Sequence, residues 1–197
     1  MDKQAELKKL EDEAREVLKK PGTNLVFGEG SPAAQVMFIG EAPGFHEDRL
    51  GRPFVGAAGK LLDKLLARAG LKRAEVYIAN VLKNRPPENR DPLPEEITEA
   101  ARFLDGQISI IDPQVIVTLG RFSMGKFMPG VKITQVHGVP KRVGRRVVVP
   151  MFHPAAALRA GSVMKLLEED FSKLPAVLAH PEEIRGEGED PNQLSLI

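Results

Sequence analysis

Four short apolar runs, separated by helical patterns, constrain the fold of this chain more than any other feature of its sequence. These runs of mainly Val, Ile, Leu, Met and aromatic residues lie at 36–39, 76–79, 115–119 and 147–149. Near-continuous apolar runs are typical of strands buried on both faces of a parallel sheet. Apolar residues at helical spacing predict helices over 3–20, 59–70, 94–111, 121–128 and 162–178. The alternation predicts an α/β fold, a three-layer α/β/α sandwich with a central, mostly parallel four-stranded sheet.

The ends of the pattern define the expected domain. Before the fourth run, residues 133–136 are expected to pair back through the turn at 141–146 as a short ribbon. From residue 181 onward the apolar pattern gives way to Glu, Gly, Pro and Asp, a composition typical of a flexible segment. We therefore expect a single domain over 1–180 and a flexible tail over 181–197, which agrees with the usual size of one domain.

The composition excludes several classes of protein. The 197 residues include no cysteine, which excludes disulfides, thiolate zinc sites, cysteine-held iron–sulfur clusters and a cysteine nucleophile. No stretch approaches the roughly 18 apolar residues of a membrane span, and the charged start has no apolar run behind it. We expect a cytoplasmic, monomeric protein that makes no membrane contact.

Charge is distributed unevenly along the chain. There is no Asp or Glu between Pro113 and Leu167, whereas this segment carries nine of the 28 Lys and Arg residues. A basic surface of this kind is typical of proteins that bind nucleic-acid phosphates. The alternative is that the nine cations are scattered around a solvated surface, because a linear segment need not fold into one patch.

Three chemically capable side chains lie where predicted strands end. Glu41 follows the first strand, Asn80 ends the second, and His153 follows the fourth. Ligands of open parallel sheets bind outside the carboxyl ends of the strands, so a carboxylate, an amide and an imidazole are expected on one edge. Each also has a purely structural interpretation, as a helix cap, a turn hydrogen bond or a bonded surface histidine. Phe54, between glycines in a connection, fits either the core or stacking on a planar ligand.

The order of these motifs resembles that of one known family. The matching segments are 26–30 (VFGEG), 40–44 (GEAPG), 51–59 (GRPFVGAAG), 77–81 (YIANV), 85–87 (RPP) and 151–155 (MFHPA). On these segments the chain resembles the type-4 uracil-DNA glycosylases over nearly the whole expected domain. The resemblance implies an α/β/α fold. It also implies hydrolysis of the N-glycosidic bond that joins uracil to DNA, which leaves an abasic site in base excision repair.

The resemblance further implies a role for each residue of the expected edge. The Phe54 position stacks on the flipped base, and the Asn80 position hydrogen-bonds its O4 and N3–H. His153 donates a hydrogen bond to O2 as the uracil anion departs, and Glu41 orients the attacking water. The backbone at Ala42 contacts the base.

Further contacts with the base and with DNA are expected around this edge. Glu47 either crowds the uracil C5 position and excludes the methyl group of thymine, or is a solvated loop acid. Residues 155–159 resemble the loop by which the family enters DNA. The expected DNA contacts are Leu158 as a wedge and the cations Arg159, Arg85 and Arg121.

The chain departs from the family at its usual metal centre. The family usually carries a [4Fe–4S] cluster on four cysteines, whose positions here are occupied by Glu13, Glu16, Asn84 and Ala100. We therefore predict that the chain holds no cluster, no other cofactor and no metal, with the two glutamates forming a charged helix face. A related cross-linking branch carries a histidine-containing insert, but residues 85–92 include no histidine, so covalent capture of DNA is not expected.

The end of the tail indicates a second partner besides uracil-containing DNA. Gln193, Leu194, Leu196 and Ile197 resemble the short peptide by which bacterial repair proteins bind the sliding clamp; the alternative is a terminus without function. Three other functions stay open at this point. They are a glycosylase for another deaminated base, a non-catalytic lesion-binding protein that recruits the clamp, and a hydrolase of small nucleotides.

Overall fold

A six-stranded mixed sheet forms the centre of the molecule, in a computed structural model that describes residues 2–186. The strands are β1 (Glu29–Gly30), β2 (Val36–Gly40), β3 (Tyr77–Asn80), β4 (Val115–Leu119), β5 (Lys141–Val143) and β6 (Arg146–Met151). In the order β1-β3-β2-β4-β6-β5, the four central strands are parallel and the two edge strands are antiparallel to their neighbours. The α/β sandwich is confirmed. The count of four strands was too low, because β1 and β5 add backbone hydrogen bonds to the outer sides of β3 and β6.

Eight α-helices occur in the described residues, and the five long patterns of the sequence account for five of them. The helices are α1 (Lys3–Val17), α2 (Phe45–Leu50), α3 (Ala57–Arg68), α4 (Pro94–Ile111), α5 (Arg121–Phe127), α6 (Ile133–Val136), α7 (Pro154–Ala157) and α8 (Gly161–Ala179). Single 3₁₀ turns lie at Pro87–Asn89 and Pro181–Glu183. Helix α4 begins and ends where the sequence predicts, with Glu96 Oε2 accepting from the Leu93 N–H at 3.0 Å.

The alternation of side chains along the strands divides the core into two layers. In β2, Met37 and Ile39 pack against α1, α4 and α5, whereas Val36 and Phe38 pack against α3 and α8. Successive strand residues point to opposite faces, so a buried parallel strand contributes to both layers. The Phe38 ring stacks on Phe171 of α8 with the ring centres 6.1 Å apart.

The expected ribbon before β6 is present, but its first strand is not formed by the predicted residues. Residues 133–136 form the short helix α6, and β6 pairs instead with Lys141–Val143 of β5. Ile133 and Val136 are three residues apart, and both pack against the same layer of the core. Helical spacing brings two such side chains to one face, whereas strand geometry would point them in opposite directions.

The last described residues lie along the β5 edge of the sheet. Arg142 donates from Nε to the Ile184 carbonyl at 2.7 Å and from a terminal nitrogen to the Pro181 carbonyl at 2.6 Å. Within residues 2–186, no helix combines the length and apolar character needed to cross a membrane. The expected clamp peptide, with Gln193, Leu194, Leu196 and Ile197, lies outside the described residues.

Candidate active site

A cleft of about 370 Å³ opens at the carboxyl ends of the central strands. Strand β2 lies between β3 and β4. The connection after β2 passes through α3 on one face of the sheet, and the connection after β4 passes through α5 on the other face. Crevices form at such positions in open α/β sheets. The structure brings Glu41, Asn80 and His153 together in this cleft, lined also by Ala42, Glu47, Phe54 and Arg159.

Asn80 supplies a buried amide with an unused acceptor. The residue is 1% exposed, and its Oδ1 atom has no hydrogen-bond partner among residues 2–186. A side chain at Gly40 would collide with this oxygen, and its Cβ would lie 2.6 Å from the Phe54 ring. Glycine at position 40 therefore allows the amide and the ring to come together at the floor of the cleft. An unpaired buried polar atom is costly, and its presence in a cleft points to a ligand that completes it.

His153 is held as a neutral imidazole with a defined tautomer. Its Nδ1 accepts from the Ala155 backbone N–H at 3.1 Å, at the start of α7. Burial lowers the pKa of His153 to about 4, against the opposing effect of Glu47. A neutral imidazole whose Nδ1 is an acceptor carries its hydrogen on Nε2, so His153 can donate from Nε2. The Phe54 ring lies beside it, with ring centres 5.5 Å apart.

Glu41 is a half-buried carboxylate in a mixed electrostatic environment. Burial raises the pKa of Glu41 above its usual range; the charge of Asp91 adds to this and that of Arg121 opposes it. Arg121 and Asp91 form an ion pair with each other. The Glu41 carbonyl accepts from the Leu82 N–H at 3.0 Å, which fixes the backbone of this residue beside the end of β3. The carboxylate is thus poised to hold a water or to face a positive charge.

The Glu47 side chain holds the loop that carries Phe54. Its Oε1 accepts from the backbone N–H groups of Val55 at 2.9 Å and Gly56 at 2.8 Å. Of the two interpretations of Glu47, these bonds do not fit the simply solvated acid, because two converging N–H groups at the start of α3 provide a site for its carboxylate. Phe54 itself is buried and has a positive φ of 50°, a strained value for an aromatic residue. Arg73 donates to its carbonyl at 3.1 Å and helps to hold this geometry.

The expected DNA contacts lie at the rim of the cleft in different states of pairing. Leu158 is 49% exposed, and Arg159 lines the cleft next to it. Arg85 donates to Asn89 Oδ1 at 2.7 Å and lies over the exposed ring of Phe45, 5.3 Å from its centre.

The nine cations of the acid-free segment do not form one patch. Arg145 and Arg146 share Asp112 at 2.7 and 2.9 Å, at the amino ends of β4 and β6 and thus on the edge opposite the cleft. Lys126 pairs with Asp105 of α4 at 2.6 Å. The structure therefore favours the interpretation in which these cations are scattered, and acids from other parts of the chain pair with several of them.

The four residues that the resemblance places at cysteine positions, Glu13, Glu16, Asn84 and Ala100, offer no thiolate. Glu13 accepts from Arg102 of α4 at 2.7 Å, and Asn84 donates from Nδ2 to Thr23 Oγ1 at 3.2 Å. Ala100 is buried and carries no ligand atom. We call this region, where α1 packs on α4 beside the segment after β3, the α1–α4 corner. With no thiolate in the chain, it cannot hold a cysteine-ligated iron–sulfur cluster.

Other metal ligands are sparse in the described part of the chain. The one group of histidine and carboxylate ligands within mutual reach is His180, Glu182 and Glu183, which is exposed on the turn after α8. None of its three residues lines the cleft, and exposed groups of this kind are common without a metal.

Sequence reasoning did not identify two sets of residues that lie at or next to the cleft. Asn89 and Asp91 line the cleft from the connection between β3 and α4. Glu88 and Asn89 both have positive φ, so the Glu-Asn pair after Pro86 and Pro87 was a turn signal for this bend. Lys83, behind the cleft, carries no local signal, because nothing in the sequence marks a lysine as buried.

Comparison with known proteins finds one matching family and several similar proteins that cover most of the chain. Residues 27–174 match the uracil DNA glycosylase superfamily. A type-4 uracil-DNA glycosylase of Sulfurisphaera tokodaii is 50% identical over 171 residues, covering 81% of this chain and 77% of the relative. Those of Thermotoga maritima and Archaeoglobus fulgidus are 47% and 44% identical, covering 77% and 85% of this chain and 81% and 92% of the relatives.

Proposed function

The chain belongs to the uracil-DNA glycosylase superfamily and acts as a uracil-DNA glycosylase in DNA repair, and we propose how its cleft performs this reaction. The enzyme takes the uracil nucleotide out of the DNA stack and hydrolyses its N-glycosidic bond, leaving an abasic site. The observation that carries the assignment of the cleft is the buried Oδ1 of Asn80, which no donor in the described part of the chain satisfies.

Asn80 reads the Watson–Crick edge of the flipped base. Its Oδ1 accepts from uracil N3–H, and its Nδ2 donates to O4. Cytosine presents an acceptor at N3 and a donor at N4, so both groups of the amide would face like groups. Because a buried polar group left unpaired costs more than an ordinary hydrogen bond contributes, cytosine is rejected.

His153 stabilises the leaving group. As the C1′–N1 bond breaks, the bonding electrons pass to uracil and negative charge develops on O2. The Nε2–H of neutral His153 donates to this oxygen and needs no proton transfer to do so. A preorganised donor of this kind contributes about 10² to 10³ in rate.

Glu41 acts on the sugar side of the reaction. The ionised carboxylate orients a water toward C1′ and stabilises the positive charge that the sugar gains. The water forms the new C1′–O bond, and its proton is lost to Glu41 or to solvent.

The remaining cleft residues position the base. The Phe54 ring stacks on uracil, the Ala42 backbone contacts its edge, and Glu47, fixed by Val55 and Gly56, crowds the C5 position against the methyl group of thymine. Stacking on Phe54 and enclosure in the cleft stabilise the flipped base and offset the few kcal/mol that base flipping costs.

The DNA backbone is held at the rim. Leu158 fills the space left in the stack, and Arg159, Arg85 and Arg121 contact phosphates. For Arg121 this requires exchange of its Asp91 partner for a phosphate. We also propose that the reaction proceeds without an iron–sulfur cluster in a monomer built on residues 1–180, and that residues 181–197 deliver the terminal peptide to a sliding clamp.

Base release from a single-uracil oligonucleotide, scored by alkaline strand cleavage, tests the assignment. We expect Asn80→Ala to lower the rate of uracil release by at least 10²-fold. Asn84→Ala is the matched control, since Asn84 is also a buried asparagine but lies in the α1–α4 corner; it should keep the parent rate. Equal rates for Asn80→Ala and the parent would contradict the assigned reading of the base. A parent that releases only another deaminated base would contradict the substrate.

A further inference from the structure

Lys83 is a fully buried lysine that lies three residues after Asn80, the last residue of β3. It is 1% exposed, although lysine is almost never fully buried without a partner. Its Nζ donates to the backbone carbonyl of Asn80 at 2.8 Å and to Gln107 Oε1 at 2.6 Å. Within residues 2–186 its environment contains no compensating carboxylate, and burial lowers the pKa of Lys83 to about 7. A group held at this cost needs a structural or functional reason.

The first acceptor of Lys83 is a carbonyl at the end of the sheet. Strand β3 ends at Asn80, beyond the Tyr77 and Ile78 pairs that edge strand β1 provides. The Asn80 carbonyl therefore needs another donor, and Lys83 supplies it across a three-residue turn.

The same short segment also fixes the other side of the cleft. The N–H groups of Val81 and Leu82 donate to the Gly40 and Glu41 carbonyls, both at 3.0 Å. The segment from Asn80 to Lys83 thus begins with the amide side chain of Asn80, and its Leu82 N–H holds the backbone of Glu41.

The second acceptor connects Lys83 to rigid parts of the fold. Gln107, fully buried on α4, donates from Nε2 to the Phe27 carbonyl at 2.9 Å and to the Tyr77 hydroxyl at 3.2 Å. Lys83 therefore joins the turn after β3 to α4 and to the start of β3 through one buried network. Satisfied buried networks restrict the conformations of the groups they join.

We propose that Lys83 is a positioning residue for base recognition, whose hydrogen bond to the Asn80 carbonyl fixes the Asn80 amide in the orientation that reads uracil. This role rests on the proposed function of Asn80. Lys83 does not contact the base; it acts through Asn80. Small displacements of a positioning group can cost up to about 100-fold in rate.

The test is a double-mutant cycle on single-turnover uracil release. Lys83→Met keeps most of the apolar volume but removes both hydrogen bonds, and we expect a 10- to 100-fold slower release. In the Asn80→Ala background the same substitution should change the rate less than about twofold, because the amide that Lys83 orients is absent. Affinity for an oligonucleotide with an abasic-site analogue should stay within about twofold of the parent, since no base is read.

Tyr77→Phe is the matched control within the network. It removes the hydroxyl that accepts from Gln107 but leaves the bond from Lys83 to Asn80, so uracil release should stay near the parent rate. If Lys83→Met does not fold, Lys83→Gln, a shorter polar side chain, takes its place in the cycle.

The outcomes separate the two proposals. A parent that releases no uracil overturns the proposed function and this inference with it. An active parent with an equally active Lys83→Met variant overturns the inference alone. The same holds if the substitution costs as much in the Asn80→Ala background as in the parent, or weakens abasic-site binding in proportion to the rate.

Discussion

The cleft and the α1–α4 corner differ in whether their polar groups have partners within the described residues. In the cleft, the buried Oδ1 of Asn80 has no partner within the described residues, and Phe54 has a strained φ. In the corner, Glu13 pairs with Arg102 and Asn84 with Thr23. A cleft that binds a ligand keeps unsatisfied groups and strain that the ligand or the surrounding structure offsets. In the corner, paired polar groups join α1 to α4 and the segment after α1 to the segment after β3.

The largest expected effect is at His153, the proposed hydrogen-bond donor to the leaving group. His153→Ala should lower uracil release by about 10² to 10³, because the developing charge on O2 loses its donor. The comparison uses single-turnover rates together with affinity for abasic-site DNA, which should change little. His180→Ala, at an exposed histidine outside the cleft, should retain the parent rate. A small effect at His153 would place the leaving-group donor elsewhere.

The pH dependence of the rate should report the charge around Glu41. Burial and Asp91 raise the pKa of Glu41 above 4.5, so activity should fall as pH drops through this raised value and Glu41 becomes neutral. Asp91→Asn should move the acid limb of the pH–rate profile to lower pH, and Arg121→Gln should move it to higher pH. His153 is not expected to cause this limb, since it stays neutral down to about pH 4. Shifts in the same direction for both variants would contradict this assignment.

At the rim of the corner, Glu96 should contribute to stability in a pH-dependent way. Hydrogen bonds from Arg90 lower the pKa of Glu96 to about 2. Because the folded pKa is depressed, the stabilisation is fully present above about pH 4.5 and is lost as pH falls toward 2. Glu96→Gln should lower Tm by about 2 to 4 °C at pH 7, and thermal melts at pH 3 should show a smaller difference. A difference that is independent of pH would show that the ionised carboxylate is not the cause.

The smallest expected effect is at the exposed ion pair between Glu13 and Arg102 in the α1–α4 corner. Glu13 and Arg102 are each about half exposed, and exposed pairs contribute roughly 0.2 to 1 kcal/mol. A double-mutant cycle with Glu13→Gln and Arg102→Gln, followed by urea unfolding, should give a coupling energy in this range. Uracil release should be unchanged in all three variants. A loss of activity here would show that the corner and the cleft are coupled.

Much of this molecule could be predicted from local sequence patterns. The four central strands, helix α4 with its ends, and the meeting of Glu41, Asn80 and His153 at one edge all follow from periodicity and from the rule that parallel strands share their carboxyl edge. These features depend on which face of each element is apolar and on the direction of the chain. Both can be read from residues that are close together in the sequence.

Other features depend on partners from distant parts of the chain. Edge strands β1 and β5 form because β3 and β6 offer free backbone groups, and α6 is helical because the core accepts Ile133 and Val136 on one side. The acid-free segment is neutralised in part by Asp105 and Asp112.

The sequence by itself determined the layered α/β architecture and the chemical types gathered at the carboxyl edge. Only the tertiary structure decided that Glu47 holds the Phe54 loop, that His153 is neutral with its hydrogen on Nε2, and that Lys83 is buried behind Asn80. The physical reason is that periodicity specifies which side of an element faces the core. The protonation state and hydrogen-bond partners of a side chain, by contrast, depend on the particular atoms that other segments bring within about 3 Å of it.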